Sequence, residues 1–210
     1  MRAGQETWHG SKASVANTRF TDLEKIGIYG GSFDPVHHGH LILARFALEK
    51  FVLEKIVFVP TRLSPHKNAS VATAEARLQM LRSATEAEPQ FAVDDCELQR
   101  DPPSYTIDTV EKIRQKYPNA HLFLLIGDDN LAGLSSWRGF DELRKIVTLI
   151  ILQRAVSPVT HEYLSVDRRF DISATEIRAR IASARSIRYL VPGAVEQIIR
   201  RHGLYLEATK

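Results

Sequence analysis

The chain has 210 residues, 44% of them hydrophobic, with 28 Lys and Arg against 25 Asp and Glu for a net charge of +3. That length and apolar content suffice for one substantial core, so a single domain is expected. The near balance of charge argues against a nucleic-acid partner, the lone Cys96 excludes an internal disulfide or a cysteine zinc cluster and suits a reducing, cytoplasmic compartment, and no apolar run is long enough to cross a membrane.

Residues 1 to 23 lack sustained periodicity and are rich in Ser, Thr, Gly and Asn, which predicts a flexible N-terminal extension ahead of a domain over residues 24 to 210. They carry no apolar secretory segment, although Arg2, Lys12 and Arg19 leave a transit-peptide reading open. Ile26 and Ile28 alternate with smaller residues and predict a strand ending at Gly30-Gly31, where a turn needs a permissive backbone; Asp34-Pro35 supports that turn. From Leu41 onward Ala44, Leu48 and Phe51 recur at helical spacing. "KIVFVP" (55 to 60) reads as a buried strand, Thr61 to Thr73 as a polar loop, and Ala74 to Glu86 as a helix with Met80, Leu81 and Ala84 on one face. "FAVDD" (91 to 95) is a short strand. Thr106 is a candidate N-cap for a helix carrying Ile107, Val110, Ile113 and Tyr117 and stopping before Pro118.

The runs 121 to 127 and 146 to 152 are apolar strands, and two helices follow. In the first, Ser173 and Glu176 have capping-box spacing ahead of Ile177 and Ile181; the second follows Pro192, buries Val195, Ile198 and Ile199, and ends at Gly203. Strands apolar on both faces and alternating with helices predict an α/β fold, a doubly wound parallel sheet. Ligands then bind at the carboxyl ends of the strands, where the loop "IYGGSFDPVHHGHL" (28 to 41) begins.

Glycines between strand and helix let a phosphate approach the backbone, and a helix N-terminus offers unpaired N–H groups. The loop has neither G-x-x-x-x-G-K-[ST] nor G-x-G-x-x-G; it offers H-x-G-H, with His37 and His40 spaced so that both rings can face an anion at the helix start. A solvated loop is the plain alternative. Zinc could also use two histidines three apart, but no third ligand stands near them in a recognisable pattern.

"GGSFDPVHHGH" together with "ISATEIR" (172 to 178) resembles the paired H-x-G-H and I-S-S-T-x-x-R motifs of the nucleotidyltransferase superfamily. Within it, "PHK" (65 to 67), "PSYTIDT" (103 to 109), "IGDDNLAGLSSW" (126 to 137) and "YLVPGAVEQIIRRHGLY" (189 to 205) are similar to bacterial nicotinate-nucleotide adenylyltransferases. The resemblance spans about Lys25 to Tyr205 and implies a Rossmann-like nucleotidyltransferase fold. It implies transfer of AMP from ATP to nicotinate mononucleotide, with Mg²⁺ carried on ATP rather than in a protein cage.

By the same resemblance His37, His40 and Arg178 are the catalytic residues. Gly30, Gly31, Ser32, Phe33, Asp129, Ser173 and Thr175 complete the ATP site, while Lys67, Thr106 and Trp137 hold the nicotinate nucleotide. Read by themselves, Thr106 and Ser173 are also plain helix caps, Trp137 is also core packing, and Arg178 also suits a solvated helix face. Two departures stand out: Ala174 where the family often has Ser, and a short stretch from Leu152 to Ile172 with Arg154-Ala155-Val156 where R-P-G is frequent. They keep open a nucleotide-binding sensor without catalysis, beside a second enzymatic alternative in which phosphopantetheine is the acceptor. A homo-oligomer is neither required nor excluded.

Deleting residues 1 to 22 is expected to leave catalysis nearly intact, because the extension precedes the first strand and carries none of these motifs. A loss of kcat/KM beyond tenfold, about 1.4 kcal/mol of transition-state stabilisation, would show that the extension reaches the site.

Overall fold

The computed structural model describes residues 23–63, 70–153, 160–168 and 170–206. Among them six strands form one parallel sheet in the order β3-β2-β1-β4-β5-β6. The strands are β1 (Lys25–Gly31), β2 (Lys55–Pro60), β3 (Phe91–Val93), β4 (His121–Gly127), β5 (Val147–Gln153) and β6 (Leu164–Asp167). The helices are α1 (His38–Lys50), α2 (Ala74–Thr85), α3 (Thr106–Lys116), α4 (Phe140–Ile146), α5 (Ala174–Ala182) and α6 (Gly193–His202), with a 3-10 helix over Asp128–Ser136.

Alternation along the central strands divides the interior in two. Tyr29, Phe58, Phe123, Leu125 and Ile150 face a core completed by Leu43 and Ala47 of α1, Met80 and Leu81 of α2, and Val195, Ile198 and Ile199 of α6. Ile26, Ile28, Val57, Leu122 and Leu124 point the other way, onto Val110 and Ile113 of α3 and Leu143 of α4. Both faces are covered, as the unbroken apolar strands require. The doubly wound parallel sheet expected from the sequence is the fold observed.

Strand order reverses between β1 and β4, which pair through Lys25 with His121 and Tyr29 with Leu125. Chains leaving such neighbours diverge to opposite faces and open a crevice beyond their carboxyl ends. The Gly30-Gly31 loop and the turn at Gly127 flank that crevice.

Several local boundaries differ from the sequence reading. α1 starts at His38 with His37 as its cap, one turn ahead of the apolar periodicity. Thr106 is the first helical residue of α3, and Tyr105 is the cap. β3 stops at Val93, because the Asp94 carboxylate turns back to accept the Cys96 N–H at 3.0 Å. The 3-10 helix, α4 and β6 had no predicted counterpart: each is too short to show a period, and β6 buries only Val166.

Candidate active site

The loop after β1 is built around Asp34. Its carboxylate is 4% exposed and accepts three hydrogen bonds, from the Val71 N–H at 2.7 Å, the Ala72 N–H at 3.1 Å and the Tyr205 hydroxyl at 2.7 Å. Burial and the neighbouring carboxylate hold the Tyr205 phenol well above its ordinary pKa, so it remains a donor. Arg77, only 2% exposed, donates from Nη1 to the Ser32 carbonyl at 2.7 Å and the Thr61 carbonyl at 2.8 Å, tying together the chains that leave β1 and β2. A turn former was expected at Asp34; the structure makes it the hub of the loop.

Beyond Pro35 the two histidines stack, with ring centroids 3.7 Å apart. His40 Nδ1 accepts the His37 backbone N–H at 3.3 Å, so in the neutral ring the proton sits on Nε2 and that nitrogen is a donor. His37 is 1% exposed and packs beside Gly39, where an added Cβ would lie 3.0 Å from its Nδ1. The glycine of H-x-G-H is there for room.

α5 closes the same space. Ser173 caps it, its Oγ accepting the Glu176 N–H at 3.1 Å. Arg178 is turned inward: Nη1 donates to the Asp34 carbonyl at 2.8 Å and Nη2 to Thr175 Oγ1 at 3.3 Å. A cavity of about 380 Å³ results, lined by Gly30 to Phe33, by His37 and His40, by Asp129, and by Ser173, Ala174, Thr175 and Arg178. Its donors are imidazole, guanidinium, hydroxyl and main-chain N–H groups, a set that binds anions. Ala174 therefore stands in the wall itself.

A second cavity of about 120 Å³ adjoins it, lined by Thr106 at the start of α3, by Trp137 after the 3-10 helix, and by Glu97, Ser104, Tyr105 and Arg138. Glu97 is 5% exposed, and Thr109 donates to its Oε1 at 2.6 Å while accepting from Arg100 Nη2 at 3.0 Å. Burial raises the Glu97 pKa above the usual carboxylate range, against the pull of the Thr109 hydroxyl. Gly30, Gly31, Ser32, Gly127 and Asn130 line both cavities, and Asn130 is held by the Gly127 carbonyl at 3.2 Å.

Every sequence-derived candidate but one thus lies on these two walls. Lys67 and Arg154-Ala155-Val156 lie outside the described residues. Asp34, Arg77, Glu97, Asn130 and Arg138 were not assigned to the site from sequence; Asp34 carried a turn signal with Pro35 and Asn130 lay within the stretch 126 to 137, while Arg77, Glu97 and Arg138 carried no local signal. Among the described residues no group of three His, Cys, Asp or Glu is placed to hold a metal ion.

Residues 28–180 match the cytidylyltransferase-like family. The chain is 42% identical over 185 residues to a protein of Thermus thermophilus, covering 86% of this chain and 99% of the relative. It is 39% identical over 186 residues to one of Exiguobacterium sibiricum, covering 86% and 98%. Both relatives carry the name "Probable nicotinate-nucleotide adenylyltransferase". The Plasmodium falciparum nicotinic acid mononucleotide adenylyltransferase complexed with NaAD superposes with a TM-score of 0.74 at 18% identity, over 89% of this chain and all of that one, a likeness of fold. With the family match running over residues 28–180 and relatives about 40% identical over 86% of its length, the chain belongs to the cytidylyltransferase-like family and, within it, to the nicotinate-nucleotide adenylyltransferases.

Proposed function

We propose that the chain transfers AMP from ATP to nicotinate mononucleotide, giving nicotinate adenine dinucleotide and pyrophosphate. The observation that carries this reading is the pair of adjoining cavities at the strand-order reversal, one lined by anion-binding donors, the other by Trp137 and the start of α3. They meet at Gly30 to Ser32 and Asn130, where two nucleotides would bring their phosphates together.

In the reaction a phosphate oxygen of the acceptor attacks the α-phosphorus of ATP, and the bond to pyrophosphate breaks. The attacking oxygen is already anionic, so no general base is needed. The protein's work is alignment of two polyanions and neutralisation of the charge that develops. His40, through Nε2–H, and His37 would donate to the ATP phosphates, with Thr175 and Arg178 opposite them and the Ser173 hydroxyl beside. The Gly30-Gly31-Ser32-Phe33 backbone would run along the nucleotide, with Asp129 as its acidic contact and Lys67 meeting phosphate.

The side chains of His37, His40, Thr175 and Arg178 would hold the phosphate oxygens as hydrogen-bond donors, and Mg²⁺ carried on ATP would supply further neutralisation of phosphate charge. In the other cavity Trp137 would stack on the cationic pyridine, and the N–H groups near Thr106 would receive the carboxylate. A cytoplasmic location fits these substrates, and among the described residues no helix is long and apolar enough to cross a membrane.

Pyrophosphate release tests the reading, measured with ATP, Mg²⁺ and each of nicotinate mononucleotide, nicotinamide mononucleotide and phosphopantetheine. The expected result is a clear preference in kcat/KM for the nicotinate acceptor; comparable values for acid and amide would sink it. Binding without turnover would favour the sensor, to which Ala174 in the phosphate wall lends its only structural support.

A further inference from the structure

Arg138 follows Trp137 at the mouth of the smaller cavity, and nothing in the reaction described above uses its side chain. Gly139, which follows it, has φ 66°, a left-handed conformation that turns the chain into α4 and brings the position of its missing Cβ 3.5 Å from the Ile107 side chain of α3. The turn thereby lays the Arg138 guanidinium over the Tyr105 ring, 4.6 Å from its centroid. Tyr105 is the cap residue of α3, so a fixed cation and the positive end of a helix dipole stand at one rim. Among the described residues no carboxylate pairs with Arg138; the nearby Asp141 is engaged by Arg144 at 3.3 Å.

We propose that Arg138 is a specificity-determining residue of the acceptor pocket, its guanidinium binding the acceptor's aromatic carboxylate. The proposal rests on the reading of this cavity as the nicotinate pocket. A guanidinium held over an aromatic ring by its central carbon keeps its N–H fork available, and that fork meets a carboxylate with two parallel bonds. A carboxamide offers no charge and one acceptor oxygen, so the contact separates acid from amide. Glu97 stands on the inner wall, its Oε1 engaged by the Thr109 hydroxyl at 2.6 Å. Arg138 is exposed before binding, and the contact strengthens only as the substrate displaces water from the rim.

The experiment compares the wild type with Arg138→Gln and Arg138→Lys in steady-state kinetics on nicotinate and nicotinamide mononucleotides, with melting temperature as control. Arg138→Gln is expected to raise KM for the nicotinate acceptor roughly tenfold, the weight of a lost hydrogen bond to a charged group, with kcat, KM for ATP and kcat/KM for the amide all within twofold. The ratio of acid to amide kcat/KM then falls about tenfold, and Arg138→Lys, which keeps the charge but not the fork, recovers part of it. An unchanged ratio overturns the proposal, as does an equal loss on both acceptors, which is what a merely structural prop for Tyr105 would produce. A wild type with no preference for the acid overturns both this proposal and the functional reading beneath it, whereas a wild-type preference that survives Arg138→Gln overturns this proposal alone.

Discussion

Replacing His40 with alanine is expected to lower kcat by roughly 10² to 10³, the loss seen when a preorganised donor to transition-state charge is removed. The geometry supplies the reason. His37 N–H occupies His40 Nδ1, so the ring is oriented by the main chain and presents Nε2–H as a donor, on a wall shared with Thr175 and Arg178. Because the donor's contribution grows as charge accumulates on the phosphates, KM for ATP should move far less than kcat. The stability cost includes one main-chain hydrogen bond, the stack on His37 and the ring-edge contacts with Phe33 at 5.0 Å and Tyr29 at 6.1 Å, about 1–2 kcal/mol. A histidine that served only packing would invert the pattern, lowering the melting temperature while turnover per folded molecule stayed normal. A zinc ligand would show instead as loss of stoichiometric metal from the variant. Normal kcat in His40→Ala ends the catalytic reading of H-x-G-H.

Asp34→Ala should be the most destabilising single change in the loop. It leaves the Val71 and Ala72 N–H groups and the Tyr205 hydroxyl without their acceptor in a site only 4% exposed. Three orphaned buried donors at about 1 kcal/mol or more each come to roughly 3 kcal/mol or above, a fall in melting temperature of about 6–12 °C for a domain of this size. Tyr205→Phe removes one of the three bonds and is expected to cost about 1 kcal/mol; in the double variant the two losses should not add, since the same bond is broken in both. Turnover in Asp34→Ala should drop further than the unfolded fraction explains, because the Asp34 carbonyl that receives Arg178 Nη1 lies on the same loosened turn. A melting temperature within 2 °C of wild type would show that water or a neighbouring group takes over the three donors.

What was legible in the sequence is what short-range physics determines. The apolar runs of β2, β4 and β5 announce strands buried on both faces, and the helical spacing in α2, α3 and α6 announces what covers them. Together these suffice for a doubly wound sheet and for a binding crevice at its carboxyl edge. The H-x-G-H loop was readable as a candidate anion site because a glycine turn and a helix N-terminus do their chemistry locally, whereas the start of α5 read by itself only as a helix cap and gained its phosphate role from the family resemblance.

The tertiary structure decided whatever depends on residues far apart in the chain. Asp34 meets Tyr205 across 171 positions and Arg178 across 144, and no periodicity or turn rule links them. Arg77 lies in a helix where a charged residue ordinarily faces water; only the docking of α2 beside β1 and β2 buries it against two carbonyls. The orientation of His40 follows from a bond to the main chain of its own cap, which exists because α1 begins at His38, ahead of any apolar signal. Arg138 reads as an ordinary surface arginine until the left-handed Gly139 lays it over Tyr105 from another segment. Sequence patterns record which face of an element is buried; which polar groups then meet is set by how the elements dock, since a hydrogen bond requires two atoms near 3 Å and a stripe of apolar residues defines a contact only to within a side chain's width.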